Sequence, residues 1–454
     1  MATGIPKTQS SQTNGQVAGA RLVDDVQLAY EGKRAESDII ATQPATLVPL
    51  RQPSSASNPK RETDNRLYYG ENLAVLSALM QDAKVRGKVR LIYIDPPYAT
   101  QSVFQSRSQV DAYSDLLVGA HYIEFVRERL ILLRELLAED GSIYVHLDDK
   151  MAFHVKVVMD EVFGRGNYRN WITRKKCNPK NYTRKAYGNI SDYILFYTKS
   201  DKYVWNRPFD AWTPEHSRKE YQHIEEGTGR RYKRVPIHAP GVRHGETGKI
   251  WRGMSPPPGK HWQYSPRTLD EMDARGEIYW SPNGNPRRKI YLDESNGVLV
   301  QDIWLEFRDA HNQNIAVTGY PTEKNPDLLA RMIQASSNPG DLVLDCFAGS
   351  GTTLAVASQL NRRWIGVDNS IEAISAILRR FSHGTERMGD FVSQRLLRDA
   401  GEDIGTLPLF TWSDGPKATS ARTGSIDEKA DFWLYSEQSN VSEIENLLST
   451  LPLG

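Results

Sequence analysis

The sequence predicts an α/β fold, a mostly parallel sheet built from two halves that lie far apart in the chain. Three observations predict it. Residues 89–163 alternate strand, helix, strand, helix. Residues 325–382 repeat that alternation. The stretch between them, 169–310, is rich in Gly and Pro, with the run Pro256–Pro258 and few clean helical periods, so it reads as an inserted module. At roughly 150 residues per domain, 454 residues suit about three domains, or one large domain with an insertion.

Each element has its reason. Residues 1–60 are rich in Ser, Thr, Gln, Ala and Pro and hold one aromatic, Tyr30, so 1–63 reads as a disordered or extended arm, with order beginning near Asp64. VRLIYI at 89–94 lies between Gly87 and Pro96 and reads as a buried strand. Ile123, Val126, Leu130, Leu133 and Leu137 recur at helical spacing over 120–138, and Gly141 closes that helix. GSIYVHL follows as a strand and 150–163 as a helix, with Met159 and Val162 as core. In the second half, helices at 325–337, 352–361 and 370–382 alternate with strands at 341–345 (DLVLD) and 363–367 (RWIGV). Of the remainder, Leu407–Trp412 is apolar enough to pack, 415–428 reads as a linker and 441–450 as a short helix. There is no internal repeat.

Composition excludes several classes. With 39% apolar and 25% charged residues, the chain can form a substantial core. Two cysteines, Cys177 and Cys346, leave no disulfide framework and no cysteine-based zinc site, which fits a reducing compartment. The ten histidines show no ligand spacing, so no metal is expected. The longest apolar runs, such as Leu130–Leu133, fall far short of the roughly 20 residues of a membrane span. No apolar stretch marks a secretory signal at the N-terminus, so a soluble, cytoplasmic protein is expected. The net charge of +1 hides a split: residues 165–300 carry 26 Lys+Arg against 14 Asp+Glu, a net of +12, and the rest nets −11. That segment suits a polyanion.

Two motifs carry chemistry. Asp95-Pro96-Pro97-Tyr98 ends the 89–94 strand, and ligands of open α/β sheets sit beyond the carboxyl ends of strands. Its groups suit methylation of an exocyclic amine on a flat base, whose delocalised lone pair makes it a poor nucleophile. Asp95 and the Pro96 carbonyl can each accept an amine N–H and draw the nitrogen towards tetrahedral geometry. The prolines stiffen the turn, and Tyr98 offers a face on which a flipped base could stack. A plain strand-ending turn with a capping Asp is the alternative. The second motif, Asp345-Cys346-Phe347-Ala348-Gly349-Ser350-Gly351-Thr352-Thr353, joins a strand to a helix with glycines that allow close ligand approach. It lacks the third glycine of a dinucleotide fingerprint, because residue 354 is Leu, and lacks the Gly-Lys-Ser/Thr of a phosphate loop. Asp368 ends the next strand, where an acid binds ribose hydroxyls, or else caps a helix before Ser370. S-adenosylmethionine, a sulfonium nucleoside without phosphate, fits such a loop and acid.

With both motifs in view, the sequence resembles the permuted, β-class, site-specific DNA adenine-N6 methyltransferases, including type III restriction-modification Mod subunits and orphan enzymes. The resemblance covers about 64–385 and rests on YYGENLAVLSAL (68–79), YIDPPY (93–98), 140–164, TGYPTEKNPDLLARMI (318–333), DLVLDCFAGSGTT (341–353) and RRWIGVDNS (362–370). It implies a Rossmann-like, S-adenosylmethionine-dependent, circularly permuted sheet. The catalytic half would be 64–168, the target-recognition domain 169–310, the cofactor half 311–385 and a C-terminal extension 386–454. Asp95, Pro96, Pro97 and Tyr98 would form the methylating site. Phe347, Gly349, Gly351 and Thr352 would line the methionine side of the cofactor with Asp345 nearby, and Asp368 would hold the ribose. Thr322 and Lys324 would contact the methionine end. Glu71 and Asn72 would lie by the adenine, although Glu71 stands where the family usually has Asp. Asp rather than Ser at position 95 inclines the family towards adenine N6 over cytosine N4.

The basic middle holds 6 of the 10 Trp and 11 of the 21 Tyr, so cations and aromatics interleave there as phosphate contacts and stacking surfaces do. Candidate DNA contacts are Arg174, Lys175, Lys176, Arg184, Lys185, Arg230, Arg231, Lys233, Arg234, Arg287, Arg288 and Lys289. Any single cluster could equally be a solvated face. His146 and Asp148-Asp149 read as structural. The expected function is methyl transfer from S-adenosylmethionine to adenine N6 in double-stranded DNA, with base flipping and direct in-line displacement. Expected partners are the DNA, a second copy of the chain and a separate restriction subunit, with no membrane, and the expected location is the nucleoid. A cytosine-N4 or RNA methyltransferase, and a DNA-binding regulator, are the alternatives.

Overall fold

The computed structural model describes residues 26–51, 64–97, 119–179, 185–309, 316–317, 323–383, 386–387 and 431–451. The chain divides into two compact units, and the second has Trp205–Ile303 as its described body.

A ten-stranded sheet organises the first unit. Its strands are β1 Leu47–Arg51, β2 Arg66–Tyr69, β3 Val89–Ile94, β4 Leu137–Leu147, β5 Tyr168–Lys175, β6 Ser191–Thr198, β7 Ile303–Trp304, β8 Leu342–Asp345, β9 Arg363–Asp368 and β10 Trp433–Glu437. The order is β1-β10-β2-β9-β8-β3-β4-β6-β5-β7. The six strands from β10 to β4 pair in parallel, whereas β1 joins β10, and β6 joins β4 and β5, in antiparallel fashion. Helices on both faces explain why β3 and β8 read as continuous apolar runs. Leu130, Leu133, Val155 and Met159 from helices Ala120–Leu136 and Ala152–Phe163 share one core with Val89, Ile92, Ile143 and Val145. In register, Leu344 of β8 faces Ile92 of β3, and Asp345 faces Gly366 of β9. The carboxyl ends of three strands from both halves of the chain therefore open on one edge.

Three boundaries differ from expectation. The N-terminal arm is ordered over its described part: Ile39 of helix Glu36–Ile40 is fully buried, Tyr30 donates to Glu124 at 2.6 Å, and β1 caps the sheet. A polar segment that buries little alone finds partners at a sheet edge, where Pro49 is tolerated for lack of a further strand. The insertion begins later than residue 169, because β5 and β6 belong to the main sheet and the second unit starts at Trp205. The C-terminal extension returns to the sheet as β10, between β1 and β2, followed by helix Val441–Thr450. Leu407–Trp412, 415–428 and Arg184 lie outside the described residues.

The second unit holds a four-stranded antiparallel sheet in the order Ile278–Trp280, Pro286–Tyr291, Arg231–Pro236, His223–Ile224. Trp251, Trp262, Leu269, Met272 and Ile278 form its core. Each of three indoles finds an acceptor: Trp251 bonds Asp270 at 2.9 Å, Trp262 the Lys249 carbonyl at 3.0 Å and Trp280 Asp273 at 2.8 Å. Among the described residues, no helix is long and apolar enough to cross a membrane.

Leu434 of β10 is fully buried. Leu434→Ala is expected to lower stability in urea unfolding by about 2–5 kcal/mol. A loss under about 0.5 kcal/mol would mean that the C-terminal strand is not docked in the sheet.

Candidate active site

Asp95, Pro96 and Pro97 follow β3 at the carboxyl edge of the sheet, and Tyr98 lies outside the described residues. The Asp95 carboxylate meets Lys324 Nζ at 2.7 Å, and both side chains are largely buried. Lys324 is fixed by its neighbours. Asn325 caps helix Pro326–Ser336 by accepting from Asp327 N at 2.9 Å, with Pro326 in the first turn. Glu323 pairs with Arg380, which also donates to the Ser350 carbonyl at 2.9 Å and to Thr352 Oγ1 at 3.2 Å. The lysine facing Asp95 is thus fastened to the glycine loop. Thr322 lies outside the described residues.

The glycine loop is a lattice of short bonds. Asp345 accepts from Phe347 N at 3.0 Å and from Thr353 Oγ1 at 2.6 Å. Burial pushes its carboxyl up to about 7 against those donors, and the Asp95 and Asp368 carboxylates push the same way. Asp368 accepts from Gly349 N at 2.8 Å and Ser370 N at 2.9 Å, and burial raises its pKa too. Gly351 has φ +73 and stands where a Cβ would sit 2.8 Å from Ile377, so only glycine fits the turn into helix Thr352–Gln359. Cys346 is fully buried, and burial holds its thiol well above the usual range, so it is no nucleophile.

Glu71 and Asn72 reach this loop through a residue the sequence did not single out. Asn72 donates to the Cys346 carbonyl at 2.9 Å and accepts from Arg129 Nε at 2.7 Å. Glu71 caps helix Asn72–Leu79 and pairs with Arg129 at 2.5 Å. The Arg129 guanidinium lies 3.6 Å from the Phe125 ring centroid, and Phe125 packs on Phe347 at 6.0 Å. Arg129 and Arg380, which brace the loop, are the residues of this site that pattern reading missed. Their one signal is an arginine set next to buried aliphatic positions of a helix. At the carboxyl ends of β2 and β9, an open cleft of about 520 Å³ is lined by Tyr69, Glu71, Asn369 and Glu372, together with Glu437 and Glu443 of the C-terminal segment.

Behind Asp95 runs a buried polar chain. Tyr93 OH lies 2.9 Å from His146 Nδ1, His146 Nε2 lies 3.0 Å from Asp192, and Arg174 Nε lies 3.2 Å from the same carboxylate. Burial opposes the charge on Asp192, but His146, Arg174 and Lys324 hold its pKa below the usual carboxylate range. This corrects the reading of Arg174 as a DNA contact: its side chain is wholly buried between Asp192 and Asp309. Lys175 and Lys176 are partly exposed and Lys185 is exposed. In the second unit, Arg230 is clamped by Asp293 at 2.7 Å and Glu294 at 2.6 Å, and Arg231 donates to the Tyr221 carbonyl. Arg288 donates to Tyr264 OH at 2.5 Å, whereas Arg287 is exposed. Arg287, Lys289 and Arg234 share one face with Tyr232 and Tyr279, and Arg234 lies 3.4 Å from the Tyr279 centroid.

Residues 89–379 match the family model described as DNA methylase. The chain is 49% identical to the type II methyltransferase M.EcaI of Enterobacter cloacae over 83% of this chain and 81% of that one. It is 25% identical to the type III restriction-modification enzyme StyLTI Mod subunit of Salmonella typhimurium, over 75% of this chain and 58% of that one. The solved PvuII DNA methyltransferase, cytosine-N4-specific, aligns over 74% of this chain and 91% of that one at 14% identity, with a TM-score of 0.40.

The raised carboxyl of Asp345 sets a pH signature. Its folded pKa lies above its unfolded value, so the folded chain keeps this proton between about pH 4 and 7 after the unfolded chain has lost it. Stability therefore falls as pH rises through that window, by up to about 4 kcal/mol at full shift. Asp345→Asn mimics the neutral acid. Melting curves are expected to move in the variant's favour, relative to wild type, by several degrees between pH 5 and pH 8. A difference that stays flat over that interval refutes the shift.

Proposed function

The chain belongs to the DNA methylase family, and from that premise we propose that it transfers a methyl group from S-adenosylmethionine to N6 of adenine in double-stranded DNA at a short specific sequence. The observation that carries this reading is the Asp95 carboxylate, held by Lys324 on the same sheet edge as the glycine loop and Asp368. The residues fit the cofactor: Gly351 leaves no room for a side chain, and the adjoining cleft is lined without Lys or Arg, as a nucleoside without phosphate requires. S-adenosylmethionine supplies an electrophilic methyl group on sulfur.

The chain's own residues then do the following. Asp95 accepts one N–H of the target amine and the Pro96 carbonyl the other, which localises the nitrogen lone pair. Lys324 orients that carboxylate and limits its motion. So held, the amine would be aimed in line at the methyl group that the cofactor would supply, and the proton displaced from its nitrogen would pass to solvent. No covalent enzyme intermediate is needed, so positioning and polarisation supply the rate. Tyr98 is the stacking platform for the flipped base in this reading. Asp at the first position of the motif favours adenine over cytosine, and the order of the two halves suits a permuted enzyme. Action as a homodimer in the cytoplasm on nucleoid DNA, with a separate restriction subunit, completes the reading. The Mod subunit among its relatives supports that last partner.

Nucleoside mass spectrometry on DNA incubated with the chain and labelled S-adenosylmethionine is expected to yield N6-methyladenine, and N4-methylcytosine would overturn the base assignment. Asp95→Ala is expected to lose transfer by at least about a hundredfold while cofactor affinity holds. Near-normal turnover would remove Asp95 from the reaction. Arg287→Ala is expected to weaken DNA binding and lower the salt slope by about one, measured by fluorescence anisotropy. An unchanged slope would show that Arg287 meets no phosphate.

A further inference from the structure

The cofactor edge of the sheet has an outer wall that the family match, which ends at residue 379, does not include. β10 runs parallel to β2, with Tyr68 opposite Tyr435 and Tyr69 opposite Ser436, and the Tyr68 and Tyr435 rings stack at 4.9 Å. Parallel pairing brings the carboxyl end of β10 to the edge where β2 and β9 end. Glu437 accepts from Glu71 N at 3.2 Å, and Glu443 accepts from Tyr69 OH at 2.5 Å. The seat is tight. A Cβ on Gly70 would lie 3.1 Å from both Cβ and Oε2 of Glu437 and 3.3 Å from Val75 Cγ2. Gly70 thus lets the C-terminal strand press against the YYGENL segment. The cleft of about 520 Å³ is lined by Glu71 and Asn369 together with Glu437 and Glu443.

We propose that the C-terminal segment 433–450 is part of the cofactor site, where Glu437 and Glu443 receive the adenosine end and exclude phosphorylated nucleotides. This rests on the S-adenosylmethionine reading above. Two hydroxyls and an exocyclic amine make adenosine a donor-rich ligand, and carboxylates are acceptors only. The wall carries Glu437 and Glu443 beside Glu71 and Glu372, with no lining cation to hold a phosphate. A phosphate group there would meet like charge at close range. The chain achieves by charge what a phosphate loop achieves in reverse. Glu437 and Glu443 are specificity-determining residues, and they come from a segment joined to the fold after the last shared motif.

The test is isothermal titration of S-adenosylhomocysteine, and of adenosine 5′-monophosphate, into the full chain and into a Glu437→Gln, Glu443→Gln double variant. Gln keeps the shape and an acceptor, so the fold should hold. Expected is about tenfold weaker binding of S-adenosylhomocysteine and the appearance of monophosphate binding that the wild type lacks. In turnover assays the KM for S-adenosylmethionine should rise more than kcat falls. Gly70→Ala, which leaves both acids in place but displaces Glu437, should weaken the same ligand. Unchanged affinity in both variants, with the wild type binding S-adenosylhomocysteine, overturns the proposal alone. A wild type that binds no S-adenosylhomocysteine overturns the cofactor reading on which it stands.

Discussion

Three carboxylates, Asp95, Asp345 and Asp368, leave one edge of one parallel sheet, and keeping them together is the constraint around which the site is built. The register of β3, β8 and β9 fixes their places, because Leu344 faces Ile92 and Asp345 faces Gly366. Like charges this close in a poorly solvated edge are unfavourable unless each is treated separately. Asp95 is met by the Lys324 ammonium. Asp368 is met by the amides of Gly349 and Ser370. Asp345 has Thr353 and the Phe347 amide, and its full burial pushes its pKa up, as burial does for Asp368. The three treatments differ in kind: a cation for Asp95, backbone amides for Asp368, and a hydroxyl with one amide for Asp345.

Two buried arginines make that arrangement rigid. Arg129 joins Glu71, Asn72 and the Phe125 carbonyl, and through Asn72 the Cys346 carbonyl of the glycine loop. Arg380 joins Glu323, the Ser350 carbonyl and Thr352. Each uses the planar fork of donors that lysine lacks. Each also ties a segment of the loop to a piece of chain far away in sequence. The loop is therefore held from two sides, by the helix before β4 and by the helix after β9. A pocket preorganised in this way need not be ordered by its ligand, which spares part of the ordering entropy on binding.

Most of the central fold was legible because its strands are buried on both faces. VRLIYI, DLVLD and RWIGV show continuous apolar runs, and the glycines after β8 mark the turn that follows. The strands that escaped notice break that rule for identifiable reasons. β5 and β6 carry Arg174 and Asp192 at inward positions, and an ion pair buried between two strands reads in sequence as polar loop. β1 and β10 are five residues each, and neither shows its partner, which lies at the opposite end of the chain. Asp95 and Asp368 were legible from their places after strands. Arg129 was not, because a helical arginine beside Leu130 resembles a surface residue that snorkels. Lys324 was legible only through the family resemblance, and its ion pair with Asp95 only in three dimensions.

The net charge of the middle segment overstates the cations it leaves free for a polyanion. Of its cations, Arg174 is sealed between two aspartates, Arg230 is clamped by two acids, and Lys289 pairs with Glu225 at 2.8 Å. Half of its tryptophans lie in or against the core with satisfied donors. Counterion release counts cations that meet phosphates, about 0.9 in salt slope for each, so the slope should fall well short of what a net of +12 suggests. The long-range field is different, because it sums every charge whether paired or not. On the proposed reading, approach to DNA and grip on DNA would be set by different residues of the same segment. The field would come from its whole excess of Lys and Arg, and the grip from the few, such as Arg287, that keep an exposed head.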